Sequence, residues 1–284
     1  MRSRSASTRF GSGWQLNIER KRPVWPRLAA AGLFAIAACV SVAAAGEVGA
    51  GGAPPCRRLA FEARRYVACT IDVRRFEIVV AWRGAGDKPF GSIATYLQQL
   101  QPADRSRLAF AMNGGMYEPD LSPVGLLIER GREQAKLNAR AGTGNFYWKP
   151  NGVFFAGEGR VGILEASRYL KERPRAEFAT QSGPVLVTKG AIGRRMLASG
   201  ASEKIRNGVG IVDESTAVFV ISEEPVSFAG FARLFRDALS CPDALYLDGS
   251  ISELHAPSVG RSDQGRSLGP IVAAFSRPAS RPTP

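Results

Sequence analysis

The segment 217–247 constrains the fold most strongly, because two short apolar runs enclose a helical pattern. The runs are residues 217–221 and 244–247, and between them apolar side chains recur at steps of three and four, at Phe228, Phe231, Phe235 and Leu239. That spacing places them on one face of a helix, for which Ser227 is a suitable N-cap and Pro242 marks the end. The segment therefore predicts a strand–helix–strand unit with a right-handed crossover.

Polar residues stand at both ends of this unit. Arg206 opens the run Arg206-Asn207-Gly208-Val209-Gly210, and Asp248 directly follows the second predicted strand. In parallel sheets, ligands bind at the carboxyl ends of the strands. We therefore expect Arg206 and Asp248 to face one pocket. Two alternatives stay open: an ion pair of Arg206 with Asp213 or Glu214, and a simple turn at Asp248.

The remaining patterns predict a single α+β domain at residues 56–275, with a mixed, largely antiparallel β-sheet and a few helices, including the one β-α-β unit. Many short apolar runs are separated by glycine and proline, while helical spacing is found in only two or three places. A Gly/Ala/Pro-rich linker at 46–55 precedes the domain, and a disordered tail at 276–284 is expected to follow it. The 284 residues, 45% of them hydrophobic and 22% charged, suit a globular protein.

The first 45 residues have the composition of a signal peptide. A basic segment precedes an apolar run at 28–45 that ends in Ala43-Ala44-Ala45, small residues of the kind that signal peptidase requires. A permanent membrane anchor and a lipoprotein signal with its cysteine at Cys39 are the alternatives. All three place the domain outside the cytoplasm, as a periplasmic or secreted protein or as one anchored to the membrane and facing the periplasm.

Cleavage after Ala45 would leave three cysteines, Cys56, Cys69 and Cys241. Two of them are expected to pair in an oxidising compartment. Cys56 and Cys69 flank residues 59–67, which are predicted to form one strand and the start of its neighbour. We therefore predict a Cys56–Cys69 disulfide, with Cys241 as a buried thiol.

Charge and histidine content exclude several partners. The net charge is +13, but the basic residues are scattered and seven of the 38 lie in the first 45 positions, so no nucleic-acid partner is predicted. Contact with a membrane is expected only through the N-terminal segment. His255 is the only histidine and cannot form a clustered zinc site. No cofactor or metal is predicted; Ca²⁺ or Mg²⁺ bound by oxygen ligands stays open as an alternative, although no EF-hand or comparable loop supports it.

Four clusters place a polar residue beside glycine at the end of a predicted strand: Asn113-Gly114-Gly115, Gln181-Ser182-Gly183-Pro184, Arg206-Asn207-Gly208 and Asp248-Gly249-Ser250. Glycine lets backbone N–H groups approach a ligand closely. Each cluster alone is typical of a turn, but four at strand ends indicate a binding site. The predicted substrate-binding residues are Asn113, Gly114, Gly115, Gln181, Ser182, Asn207, Gly249 and Ser250. Phe146, Tyr147 and Trp148 are expected either to stack on a sugar or to lie in the core.

Six motifs, AMNGGMY, PVGLLIERG, GNFYWKPNGVFF, ATQSGP, RNGVG and ALYLDGSISEL, occur here in the order typical of one family. Through them the chain, from Cys56 to Ala274, resembles the bacterial branch of the phosphodiester glycosidase family, which also contains the lysosomal uncovering enzyme. The final loop reads Leu-Asp-Gly-Ser-Ile-Ser, where the uncovering-enzyme branch has Leu-Asp-Gly-Gly-Gly-Ser. The motifs carry Asn113, Arg206 and Asp248 over to this chain.

The resemblance implies an exported hydrolase that cleaves glycosyl phosphodiesters of envelope or extracellular glycans between the anomeric carbon and its oxygen. Arg206 would then hold phosphate oxygens through its planar fork, and Asp248 would act at the anomeric centre. Glu253 is a candidate second carboxylate. The alternative function is a non-catalytic periplasmic protein that binds sugar phosphates or exopolysaccharide with the same pocket.

Overall fold

The computed structural model describes residues 53–198 and 202–278. The strands are β1 (Cys56–Phe61), β2 (Arg64–Asp72), β3 (Phe76–Ala81), β4 (Leu108–Asn113), β5 (Leu127–Glu129), β6 (Arg132–Ala135), β7 (Gly152–Gly157), β8 (Arg160–Glu165), β9 (Phe178–Ser182), β10 (Val185–Thr188), β11 (Ala191–Ile192), β12 (Asn207–Asp213), β13 (Thr216–Ser222), β14 (Asp243–Asp248), β15 (Leu254–Ala256), β16 (Arg261–Ser262) and β17 (Ile271–Ser276). The α-helices are α1 (Ile93–Gln99), α2 (Pro102–Arg107), α3 (Ala166–Glu172), α4 (Arg194–Leu197) and α5 (Phe228–Arg233).

The predicted signal peptide, most of the linker and most of the tail lie outside the described residues. Within the described ranges, no helix has the length and apolar character needed to cross a bilayer.

The strands form three sheets. A seven-stranded sheet has the order β1-β2-β13-β12-β14-β10-β11, and two five-stranded sheets have the orders β16-β15-β4-β17-β3 and β6-β5-β9-β7-β8. Each hydrogen-bonded strand pair in the described part of the chain is antiparallel. With its few short helices, the molecule has the predicted α+β fold.

The predicted strand–helix–strand unit is present in a split form. β13 and β14 run parallel to each other, but β12 lies between them and pairs antiparallel with both. α5 connects the two parallel strands and continues as a π-helical turn at Leu234–Ala238. Its N-cap is Ser227, whose side chain accepts a hydrogen bond from the Gly230 N–H at 3.1 Å, as predicted.

The helix lies over β12 because glycines in that strand leave room for its aromatic face. Phe231 and Phe235 are fully buried. A Cβ atom at Gly210 would lie 2.6 Å from the Phe235 ring, and one at Gly208 would lie 3.1 Å from the Phe231 ring. The Gly-Val-Gly pattern of β12 is therefore a packing requirement of α5.

One aromatic cluster joins all three sheets. Phe219 of β13 contacts Phe110 of β4, with ring centroids 4.9 Å apart, and Phe154 of β7, with centroids 5.4 Å apart. All three side chains are fully buried. Aromatic pairs in such tilted and edge-on geometries stabilise a core beyond the area that they bury.

The cysteines are arranged as predicted. Cys56 and Cys69 lie directly opposite each other on β1 and β2 and form a disulfide, with their Cα atoms 3.9 Å apart. Cys241 is a free, buried thiol, and burial raises its pKa to about 12.

Candidate functional site

The two ends of the strand–helix–strand unit meet at an irregularity between β12 and β14. Asn207 pairs with Asp248, whereas the next residue, Gly208, pairs with Tyr246, so β14 has one extra residue at this point. A bulge of this kind changes the direction of the strand and of its side chains. It places Asp248 at the start of the turn 248–253, beside the residue that follows Arg206.

Two buried asparagines fix this turn. The Asp248 N–H donates to Asn207 Oδ1 at 2.9 Å, and Asn207 Nδ2 donates to the backbone oxygen and Oδ1 of Asn113, at 2.8 and 3.1 Å. Asn113 Nδ2 donates to the Ile251 carbonyl at 2.7 Å, and its Oδ1 accepts from the Glu253 N–H at 2.9 Å. Both amides, predicted to bind substrate, are thus engaged in joining β4, β12 and the turn.

The predicted residues of the Gln-Ser-Gly-Pro cluster also make internal bonds. Gln181 Oε1 accepts from the N–H groups of Leu126 and Asn138, at 3.0 and 2.8 Å, and its Nε2 donates to the Asn138 carbonyl at 2.8 Å. Ser182 Oγ donates to the Leu247 carbonyl at 2.6 Å. Both side chains are buried, and Ser182 joins the end of β9 to β14.

The double glycine after β4 is required by close packing. The Gly114 N–H donates to the Pro270 carbonyl at 2.7 Å, and the Gly115 N–H donates to Thr180 Oγ1 at 3.2 Å. A Cβ atom at Gly115 would lie 2.4 Å from the Gln181 carbonyl oxygen. Both N–H groups, predicted to face a ligand, are used within the protein.

Arg206 is a fully buried cation without a carboxylate partner in the described ranges. Its Nε and Nη2 donate to the carbonyls of Val226 and Ser202, both at 2.8 Å, and its Nη1 donates to the Tyr246 hydroxyl at 3.2 Å. The guanidinium carbon lies 3.6 Å from the ring centroid of Phe228. Burial lowers the pKa of Arg206.

The alternative ion pairs of Arg206 are wrong. Asp213 accepts hydrogen bonds from Ser215, and Glu214 lies 3.6 Å from Arg160. No part of the Arg206 side chain is exposed. This burial argues against the predicted contact of Arg206 with phosphate.

The Tyr246 hydroxyl connects Arg206 to the Asp248 turn. A Cβ atom at Gly249 would lie 1.8 Å from this oxygen, so only glycine fits at the position after Asp248. Burial raises the pKa of Tyr246 well above its usual range, so the hydroxyl stays protonated and accepts the bond from Arg206.

Asp248 is a buried carboxylate in a polar turn. It is 7% exposed, and its Oδ1 accepts from the N–H groups of Gly249 and Ser250, at 2.5 and 2.9 Å. Burial raises the pKa of Asp248, while these main-chain bonds and the charge of Lys204 oppose the shift. Buried carboxyl groups with a raised pKa are found among the general acids and bases of enzymes.

An open cleft of about 640 Å³ borders the turn. Gly249, Ser250 and Glu253 line one part of it, and Lys204 and Arg266 contribute cationic side chains. Three further charged residues of the cleft are in ion pairs: Arg261 pairs with Asp263 at 2.7 Å, and Glu223 pairs with Arg58 at 3.2 Å. Lys204 and Arg266 take part in none of the ion pairs found in the described residues, so the cleft suits an anionic group.

The aromatic run before β7 divides between core and surface. Phe146 is buried, whereas Tyr147 and Trp148 are partly exposed. Trp148 packs on Phe228 with ring centroids 5.6 Å apart, and the guanidinium of Arg195 lies 5.3 Å from the Trp148 ring centroid. Trp148 therefore packs on Phe228, the ring that also contacts the Arg206 guanidinium.

The described ranges hold no group of three His, Cys, Asp or Glu residues that could bind a metal ion. His255 lies on β15, where its Nδ1 and Ser262 Oγ are 2.9 Å apart.

Sequence reasoning did not single out Lys204, Tyr246 or Arg266. Tyr246 lies two residues before Asp248 on the same strand, and that spacing was a usable signal because alternate residues share a face. Lys204 and Arg266 are exposed residues in irregular segments, and no pattern distinguishes them from other surface cations.

Comparisons with known proteins agree with the motifs. The sequence profile of the phosphodiester glycosidase family matches residues 106–266. The protein YigE of Escherichia coli (strain K12) is 36% identical over 188 residues, which are 66% of this chain and 73% of that protein.

Two solved structures are similar at low sequence identity. A hypothetical protein from Synechocystis has 12% identity and a TM-score of 0.49, over 78% of this chain and 61% of that one. The catalytic domain of zebrafish N-acetylglucosamine-1-phosphodiester alpha-N-acetylglucosaminidase, auto-inhibited by its pro-peptide, has 14% identity and a TM-score of 0.48, over 78% of this chain and 82% of that one.

Proposed function

Because the chain belongs to the phosphodiester glycosidase family, we propose that it is an exported hydrolase of glycosyl phosphodiesters in envelope or extracellular glycans. The products would be a free sugar and a phosphate monoester. The observation that carries this proposal is the buried carboxyl group of Asp248, fixed in a turn that borders a cleft with two unpaired cations.

The cleft suggests where the substrate lies. Its phosphate would rest over the backbone of Gly249 and Ser250, with Lys204 and Arg266 facing the phosphate oxygens. The anomeric carbon would then be next to Asp248. Lys204 is the cation whose charge acts on Asp248, so one residue would stabilise both the phosphate and the ionised carboxylate.

The chemistry needs little acid assistance. The bond between the anomeric carbon and its oxygen breaks, and the electron pair leaves with a phosphate monoester, whose second pKa is about 6. Water supplies the new hydroxyl group of the sugar by one of two routes. As a general base, Asp248 accepts the proton of the attacking water and then releases it to solvent. As a nucleophile, Asp248 first forms a glycosyl ester and leaves as a carboxylate when water attacks, while the proton of the water passes to the phosphate monoester or to solvent. The leaving phosphate gains negative charge, which Lys204 and Arg266 would stabilise.

Arg206 would act as a positioning residue in this arrangement. It holds the Tyr246 hydroxyl against Gly249 and ties the segments at Ser202 and Val226 to β12. The phosphate contact expected from the sequence would instead fall to Lys204 and Arg266.

Export is supported by the composition of residues 1–45 and by the Cys56–Cys69 disulfide. Disulfides persist in oxidising compartments and are rare in the cytosol.

Turnover of a chromogenic sugar phosphodiester by the purified protein tests the proposal. Release of the free sugar together with the phosphate monoester is the expected result. Binding of the substrate without release of products would overturn it in favour of the non-catalytic alternative.

A further inference from the structure

We propose that Glu253 contacts the phosphate of the substrate as a neutral carboxylic acid and donates a hydrogen bond to it from Oε2. This inference rests on the proposed function for the identity of the substrate. It assigns a role to a carboxyl group that lines the cleft and lies five residues after Asp248.

Glu253 has one satisfied and one unsatisfied oxygen. The side chain is 4% exposed, and its Oε1 accepts from the Arg266 N–H at 3.0 Å. Among the described residues, Oε2 is the one buried side-chain nitrogen or oxygen atom without a hydrogen-bond partner. An unpaired polar atom is costly in a protein interior, and its presence in a native fold calls for a specific explanation.

Rearrangement of the turn is not available as that explanation. The Glu253 N–H donates to the buried Asn113 Oδ1, and the next residue, Leu254, donates to Asp263 Oδ2 at 3.0 Å. The main chain is therefore held on both sides of the carboxyl group. What remains is a group from outside the protein, and Glu253 lines the cleft beside Gly249 and Ser250.

The surroundings shift the Glu253 carboxyl group toward its protonated form. Burial raises the pKa of Glu253, the bond from the Arg266 N–H lowers it, the charge of Asp263 raises it and that of Arg266 lowers it, with a net upward shift. Tyr117 also faces this region; its hydroxyl donates to the Ser267 carbonyl and stays neutral, because burial raises its pKa to about 12. Elsewhere in the cleft, Lys204 is unpaired, whereas Arg261 and Glu223 are in ion pairs.

A neutral acid explains how a carboxyl group and an anion can share this cleft. An ionised Glu253 would repel a phosphate group, whereas a protonated one supplies a donor, and O–H groups form their strongest bonds with ionised acceptors. Oε1 accepts from the backbone, so the proton resides on Oε2, the oxygen without a partner. The cations Lys204 and Arg266 then neutralise the phosphate without competition from Glu253.

The test measures binding separately from turnover. The probe is bis(glycero)phosphate, a phosphodiester without a glycosidic bond, which keeps a single negative charge between pH 5.5 and 8.5. Calorimetry with the full chain should show that wild-type affinity falls as the pH rises, approaching tenfold per unit above the Glu253 pKa.

Two variants and a control define the outcome. Glu253→Gln keeps the Oε1 acceptor and offers a permanent N–H donor, so it should bind within about threefold of the wild type at pH 5.5 and lose the pH dependence. Glu253→Ala should bind about tenfold more weakly at pH 5.5. Glu223→Gln, in an ion-paired carboxylate of the same cleft, should keep the wild-type pH profile. Thermal melts establish that each variant is folded.

Several results would overturn the proposal. These are a wild-type pH profile in Glu253→Gln, undiminished binding by Glu253→Ala, or no binding of the diester by the wild type. If Glu253→Gln binds well but has lost sugar phosphodiester turnover, Glu253 transfers a proton in the reaction instead of only contacting the phosphate, and the proposal is also wrong. If no form turns over the sugar phosphodiester while binding still depends on Glu253 as described, the proposed function fails and the phosphate contact stands.

Discussion

Asp248 and Arg206 are both buried ionisable residues, and neither has an opposite charge bonded to it in the described ranges. Burying a charge without a partner destabilises the folded state. The two residues differ in whether the space around them is filled by protein groups. Arg206 is enclosed by carbonyl groups, a hydroxyl group and an aromatic ring, whereas the turn that begins at Asp248 borders an open cleft. This difference supports the proposal of a structural role for Arg206 and a catalytic one for Asp248.

Asp248→Asn should separate stability from activity. The asparagine oxygen can still accept from the Gly249 and Ser250 N–H groups, so the turn should form. Because burial raises the pKa of Asp248, the wild type is most stable below the unfolded-state pKa and loses stability as the pH rises through the folded-state value. The variant should lack this loss and melt at the same temperature as the wild type or higher at pH 7, while turnover falls about a hundredfold or more.

Thermal melts at pH 5 and pH 8 and kinetics on the same preparations check this prediction. Wild-type turnover in the variant would remove Asp248 from the catalytic role. A lower melting temperature with unchanged activity per folded molecule would identify it as a turn residue.

Arg206→Lys should reduce stability more than substrate affinity. A lysine cannot reach Val226, Ser202 and Tyr246 with one planar group, and each buried acceptor left without a donor costs about 1–3 kcal/mol. The free energy of unfolding from denaturant titration should fall by that amount, and turnover should fall because Tyr246 is no longer fixed against Gly249. Arg65→Lys is the control; the Arg65 side chain is 69% exposed and paired with Glu224, so its effect should stay within about 0.5 kcal/mol.

A direct phosphate contact by Arg206 would give the opposite result. Stability would then be retained in Arg206→Lys, while the KM for the sugar phosphodiester would rise.

At the scale of elements, the sequence pattern predicted the features of a helix that depend on residues close to it in the chain. The spacing of Phe228, Phe231 and Phe235, the cap at Ser227 and the stop at Pro242 each depend on neighbours within one or two turns, and all are found in the structure. The position of β12 between β13 and β14 depends on pairing between distant segments, which hydrophobic periodicity does not encode. The same holds for β2 and β13, which pair residues 66–72 with residues 216–222.

In the candidate site, the sequence predicted which side chains make polar contacts but not which groups they contact. The residue types of Asn113, Gln181 and Ser182 indicated polar contacts at strand ends, and such contacts exist. An amide or a hydroxyl group forms the same bonds with a backbone as with a sugar, so the sequence could not reveal that their partners are backbone groups of other segments. Only the packing of three sheets determines this.

The β1–β2 hairpin gives a prediction about an element. Cys56→Ala combined with Cys69→Ala should lower the free energy of unfolding by about 2–4 kcal/mol, because a sequence separation of 13 encloses a short loop. Activity per folded molecule should persist, since β1 lies at the edge of the seven-stranded sheet, four positions from β14. Cys241→Ala is the matched control for loss of a buried sulfur. Equal stability of the double variant and the wild type in denaturant would contradict the prediction.

At the scale of the whole molecule, the disulfide, the N-terminal composition and the proposed substrate all concern the compartment of the protein. A disulfide between directly opposed strand residues forms where thiols are oxidised. A glycan phosphodiester outside the cytoplasm can be reached only by an exported enzyme. The disulfide and the composition of residues 1–45 are both expected of an exported protein, which is where the proposed substrate would be met.

Export with cleavage after Ala45 is therefore the final prediction. Small side chains at Ala43 and Ala45 suit the signal peptidase, and the apolar run before them is expected to be removed. Mass spectrometry of the protein isolated from the cells that make it should find Gly46 as the first residue. Replacing Ala43 and Ala45 by bulky residues should block processing and leave the protein in the membrane fraction, whereas Cys39→Ser should change nothing. A lipid on Cys39, or an intact segment 28–45 in the wild type, would instead establish an anchored protein whose active site faces the periplasm.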